Sequence, residues 1–167
     1  MKLPRSLALL ATLASALAAS AGLTVTDLRC DWGTDPLGVD SAGPQLAWKL
    51  TSPDRGAGQT AWQVQVASTR EKLSAGAADL WDSGRTAGDT QLQVPYAGRA
   101  LGTGEQVFWQ VRVWDAAGQP SAWSAPATWT MGIMRPDDWA ARWITDPELL
   151  RVTRHQLGFS TPPVTDE

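Results

Sequence analysis

From Val107 to Trp114 the side chains change character at every step, with Val107, Trp109, Val111 and Val113 set against Phe108, Gln110, Arg112 and Trp114. A period of two belongs to a β-strand, whose successive side chains point to opposite faces. The first set is expected to face a core. Phe108 and Trp114 on the second face imply that a loop or a neighbouring domain covers it. The same period runs through Ala61 to Ala67, where Trp62, Val64 and Val66 alternate with Gln63 and Gln65 and predict a half-buried strand. Gln45 to Leu50, Thr60 to Ser68, Leu92 to Pro95 and Thr128 to Met131 also have strand composition, and Leu23 to Leu28 is a weaker candidate. Between these runs stand Asp35-Pro36, Ala42-Gly43-Pro44, Asp54-Arg55-Gly56, Ser83-Gly84 and Ala117-Gly118, pairs and triplets that turn the chain. Short strands punctuated in this way predict an all-β antiparallel β-sandwich. One short helical insertion is expected within Ser68 to Gly76, capped by Ser68 or Thr69 and ended by Gly76.

The first residues read differently. Lys2 and Arg5 precede an uncharged apolar run, Leu7 to Ala19, that ends in small residues, the layout of a secretory signal peptide over 1–21. Cleavage is expected after Ala21 in preference to Ala18, which places the mature chain in a secreted or periplasmic setting. The run is short of the ~20 apolar residues that span a bilayer, so no membrane span is expected. Removing Lys2 and Arg5 from the 14 basic residues leaves 12 against 17 acidic ones, a net charge of −5. That balance, with no basic stripe, argues against nucleic acid as a partner. Cys30 is the one cysteine, so neither an internal disulfide nor a thiolate metal site is available. The sandwich is expected over 22–134, and 135–167 reads as a connector and the start of a following domain, with a strand beginning near Leu149.

The order of several strings adds a family resemblance. Asp35-Pro36-Leu37-Gly38-Val39-Asp40 and Pro44-Gln45-Leu46-Ala47-Trp48 are followed by Gln59-Thr60-Ala61-Trp62-Gln63-Val64-Gln65-Val66-Ala67-Ser68 and Asp79-Leu80-Trp81-Asp82-Ser83-Gly84. Then come Val94-Pro95-Tyr96, Phe108-Trp109-Gln110-Val111-Arg112-Val113-Trp114-Asp115, Ser121-Ala122-Trp123-Ser124, Met131-Gly132 and Trp139-Ala140-Ala141-Arg142-Trp143-Ile144. In this order they resemble the N-terminal domain of bacterial α-L-rhamnosidases of glycoside hydrolase family 78. The resemblance implies an immunoglobulin/fibronectin III-like sandwich, and a parent enzyme that removes terminal α-L-rhamnosyl groups with acids carried in a downstream helical barrel. Val107 stands where such sandwiches often place the tyrosine of the tyrosine corner, which would leave that corner held by packing alone.

The residues themselves offer no catalytic set. An inverting glycosidase needs two carboxyl groups ~6.5–9.5 Å apart. Asp137-Asp138 is the closest cluster, but Pro136 and an acid at that place commonly begin a helical turn. Asp79 and Asp82 flank Leu80-Trp81 and read as turn formers, and His155 is alone in the tail. Catalytic, metal and cofactor residues are therefore expected to be none, and the chain by itself inactive. Ten tryptophans remain to be explained. Trp48, Trp62 and Trp109 belong to core strands by pattern. Trp139 and Trp143, four apart and on one side of either a helical turn or an extended chain, form with Trp114 a candidate docking surface. The expected partners are downstream domains of a parent enzyme, with weak carbohydrate binding in second place. The expected function is that of a non-catalytic accessory domain of a secreted α-L-rhamnosidase, as a fragment lacking the catalytic domain. The alternative is a stand-alone secreted module that binds carbohydrate or protein.

Overall fold

The computed structural model describes residues 22–141. The signal-peptide segment, Trp143, His155 and the strand expected near Leu149 lie outside the described residues. The chain divides after Met134, and the unit that begins at Arg135 is taken by itself.

Strands β1 (Thr24–Cys30), β2 (Leu37–Val39), β3 (Gln45–Thr51) and β4 (Ala61–Ala67) lead to helix α1 (Arg70–Ser74). After it come β5 (Trp81–Asp82), β6 (Thr86–Ala87), β7 (Val94–Pro95), β8 (Gln106–Trp114) and β9 (Ala127–Met131). A three-stranded sheet runs β1-β3-β7, and a six-stranded sheet runs β2-β9-β8-β4-β5 with β6 also on β4. Pairing is antiparallel except between β2 and β9. This is the all-β sandwich that the alternation predicts.

Apart from Trp62, the inward sets form the core as expected. Val107, Trp109, Val111 and Val113 of β8 are all fully buried, as are Val64 and Val66 of β4 directly across from them. They meet Leu46 and Trp48 of β3, Val25, Leu28 and Cys30 of β1, and Trp129 and Met131 of β9. Aromatic rings bind the two sheets together: Trp81, Tyr96, Trp129 and Trp109 follow one another edge to face with centroids 5.6–6.2 Å apart. Trp48 donates its indole N–H to Gln59 Oε1 at 3.0 Å, and Gln59 passes a bond to the Thr90 carbonyl at 2.8 Å. Trp62 is only half-buried, with its ring 5.9 Å from Trp48.

The helix is capped as its sequence requires. Thr69 is the N-cap and its hydroxyl accepts from the Lys72 N–H at 3.3 Å. Past Ala75, Gly76 takes φ +70, so its N–H reaches the Leu73 carbonyl and that of Ala77 reaches Lys72, a Schellman stop. The expectation that the corner before β8 is held by packing alone is corrected. The Tyr96 hydroxyl donates to the Arg99 carbonyl at 2.9 Å, so the tyrosine serves from the approach to β8 instead of from position 107. A Cβ on Gly98 would overlap that hydroxyl and the Leu80 carbonyl, which makes glycine obligatory there.

Cys30 is 1% exposed, and burial, then the charge of Asp31, push its thiol up to about 12. At pH 8 the thiolate is on the order of one molecule in ten thousand. The folded chain should therefore release no thionitrobenzoate from Ellman's reagent, and one equivalent after unfolding in urea. A full equivalent from folded protein would place Cys30 at the surface.

Candidate functional site

The face of the six-stranded sheet that points away from the core is where β4 and β8 bring polar and aromatic side chains together. Their register sets Gln63 opposite Arg112, Gln65 opposite Gln110, Ala67 opposite Phe108 and Ala61 opposite Trp114. Gln63, Gln65 and Gln110 are only 7%, 7% and 8% exposed, which corrects the expectation that β4 is wet on one side. Amides so deeply placed need partners. Gln63 and Gln65 donate to the two oxygens of Asp82 at 2.6 and 2.9 Å, Gln110 donates to Gln65 at 3.1 Å, and Arg112 Nε donates to Gln63 at 2.9 Å. Burial opposes ionisation of Asp82, yet the bonds from Gln65, Gln63 and the Gly84 N–H, with the charge of Arg112, hold its carboxyl below the usual value.

Arginines close the rest of this face. Arg112 lies 4.9 Å from the Trp114 ring centroid and 4.6 Å from that of Trp123; Arg85 lies 5.2 Å from Trp114, and Arg70 lies 5.4 Å from Phe108. The covering of Phe108 and Trp114 is therefore supplied from within the sandwich. Trp114 is 8% exposed beneath two guanidinium groups, so it is not an open member of the docking set. Trp123 owes its position to Ser121 and Ser124. β9 pairs with β8 only over Gln106 to Trp109, and beyond that the N–H groups of Val111 and Val113 donate to the hydroxyls of Ser124 and Ser121, each at 3.1 Å. The serine N–H groups return bonds to the carbonyls of Val111 and Val113 at 2.8 and 2.7 Å.

A glycosidase acid must keep its proton near neutral pH, which calls for a raised pKa. Asp27, Glu71, Asp79, Asp82 and Glu105 are all displaced the other way. Asp79 is held ionised first by Lys72 at 2.7 Å and then by the Ser68 N–H and hydroxyl, which ties the start of the helical insertion to the chain leading into β5. Arg99 does the same for Glu105. Asp137 and Asp138 lie in a 3₁₀ turn, Pro136–Asp138, with Pro at its start and Asp138 paired to Arg135 at 2.9 Å. Among the described residues no three His, Cys, Asp or Glu side chains are grouped to hold a metal ion, and no helix is long and apolar enough to cross a membrane.

Trp139 follows that turn in extended conformation and is 61% exposed, the one member of the docking set with an open ring among the described residues. Sequence reasoning passed over Trp32, which is 64% exposed with φ +69. The Asp31-Trp32-Gly33 step had the signal of a turn, and an indole in a turn is poorly placed for a core.

Two packed, mostly antiparallel sheets with one short helix define an immunoglobulin-like domain. The chain belongs to the family described as Rha78A-like, N-terminal immunoglobulin domain, whose model matches residues 25–135. It is 45% identical over 125 residues to an α-L-rhamnosidase of Streptomyces avermitilis, covering 75% of this chain and 12% of that protein. It is 39% identical over 121 residues to an α-L-rhamnosidase of Alteromonas sp., covering 71% and 13%. Among solved structures, the S. avermitilis α-L-rhamnosidase complexed with L-rhamnose superposes with a TM-score of 0.71 at 44% identity, over 77% of this chain and 12% of that one. The α-L-rhamnosidase from Dictyoglumus thermophilum gives 0.70 at 38% identity, over 74% and 14%. The chain thus spans about an eighth of the length of these relatives.

Proposed function

We propose that this chain supplies the N-terminal, non-catalytic accessory domain of a secreted α-L-rhamnosidase, an enzyme that hydrolyses terminal α-L-rhamnosides. The match to the N-terminal immunoglobulin family across residues 25–135 carries this reading. The downward displacement of five carboxyl groups supports its non-catalytic part. The basic start and apolar run within 1–21 support export. Trp139, with Trp143 four residues on, offers the aromatic contact through which the sandwich would dock on the domains that follow it in such an enzyme.

The test is turnover. The purified full chain should release no rhamnose from an aryl α-L-rhamnoside, because a glycosidase acid needs a raised pKa and Asp27, Glu71, Asp79, Asp82 and Glu105 are all displaced downward. Hydrolysis that survives repurification and disappears in Asp137→Asn would overturn the non-catalytic assignment.

A further inference from the structure

The outer face of the three-stranded sheet holds a second feature, independent of the docking aromatics. β1 is bulged between Thr26 and Arg29, where Asp27 and Leu28 together face one residue of β3. Leu28 turns into the core and Asp27 turns out with φ +49, in the position a bulge normally gives to glycine. Three residues later the Cys30–Gly33 turn is closed by two backbone bonds of 3.0 and 2.9 Å, and its central residues Asp31 and Trp32 both have positive φ. That is the conformation of a type I′ turn, in which the second central position favours glycine. This chain has Trp there instead. Trp32 thus places a large side chain where the backbone favours glycine, and it lines the same cleft of about 270 Å³ as Asp27.

We propose that this cleft binds a neutral pyranose unit, with the Trp32 indole against the apolar face of the ring and Asp27, Arg29 and Lys49 bonding its hydroxyls. Trp32 and Leu92 are 64% and 56% exposed and give the cleft its apolar walls. Asp27 accepts from Arg29 Nε at 3.1 Å and from Lys49 Nζ at 2.6 Å, which fixes a carboxylate between two donors. Further N–H groups and carboxylate lone pairs remain on these three residues. A sugar hydroxyl both donates and accepts, so a row of donor, acceptor and donor is matched to neighbouring hydroxyls. Asp27 offsets one of the two positive charges, which weakens the pull of the cluster on an anion. Arg29 also donates to the Trp32 carbonyl at 3.1 Å, which ties the aromatic wall to the polar floor. The size decides between classes of ligand. One indole and one leucine fall short of the few hundred Å² of apolar patch that marks a protein interface, and 270 Å³ is at the small end of ligand pockets, the scale of one sugar ring.

The experiment is a titration of the ¹⁵N-labelled full chain with methyl α-L-rhamnopyranoside and, separately, methyl α-D-mannopyranoside. At least one probe should shift the Trp32 indole and Lys49 backbone signals saturably in the millimolar range. Trp32→Ala should weaken that response at least tenfold, Trp32→Phe should retain it within a few-fold, and Leu37→Ala, exposed on the other sheet, should leave it unchanged. Trp32→Gly removes the ring while suiting the backbone, so its loss of binding with an unchanged melting temperature excludes misfolding as the cause. No saturable shift from either probe, or a response that survives Trp32→Gly, would overturn the proposal. So would Trp32-dependent self-association in sedimentation without any response to sugar. None of these outcomes touches the accessory-domain reading, which the family match carries and turnover tests.

Discussion

Replacing Trp109 by alanine should destabilise the sandwich by about 3–5 kcal/mol, the cost of deleting a large buried ring and leaving a cavity. Domains of this kind hold only about 5–15 kcal/mol in total, so the variant should be partly unfolded at ambient temperature or melt far below the parent. The ring is fully buried, stands opposite Val66 in the β4–β8 register and packs edge to face on Trp129. Its indole N–H is buried without a hydrogen-bond partner. That feature makes Trp109→Phe informative: phenylalanine loses volume but also removes an unsatisfied donor worth about 1–3 kcal/mol. Urea unfolding should therefore rank the parent and Trp109→Phe close together, with Trp109→Ala well below both. An unchanged midpoint for Trp109→Ala would mean that the face of β8 has been assigned backwards.

The fold was legible wherever a run was long enough to show its period. β8 and β4 declared their inward faces because seven to nine residues alternate, and the helix declared its cap because Thr69 and Gly76 bracket it. β2, β5 and β6 escaped notice since two or three residues cannot display a period, and their pairing is decided by neighbours distant in sequence. The outer face of the six-stranded sheet departs from its sequence pattern for a related reason. Glutamine at alternate positions reads as solvent-facing, yet Asp82, nearly twenty residues away, supplies the acceptors that let Gln63 and Gln65 be buried. Trp114 reads as a docking residue by its type and its place at a strand end, and only the three-dimensional approach of Arg85 and Arg112 shows it already covered. Trp32 shows the converse. Its exposure follows from a type I′ turn built on two non-glycine residues, a conformation that propensity rules would not assign to that sequence.

The Ser121 and Ser124 pair should show the second large effect. Each hydroxyl accepts the N–H of a buried valine of β8 and donates to the carbonyl of the next residue, at 2.8 Å for Ala122 and 3.0 Å for Ala125, so each is satisfied on both sides. Either serine changed to alanine leaves a backbone donor buried without a partner, at about 1–3 kcal/mol. The double variant Ser121→Ala with Ser124→Ala should lose more than either single but less than their sum. Both serines sit on one short segment held to β8 by only two further backbone bonds, and once it lifts water reaches both valine N–H groups together. The lifted segment also withdraws Trp123 from Arg112, so the indole should become more accessible to an aqueous quencher in proportion to the loss of stability. A double-mutant cycle by urea unfolding measures the coupling. Strict additivity, with Trp123 still shielded, would mean that the two hydroxyls act as separate caps and that the stacking of Arg112 alone holds the segment in place.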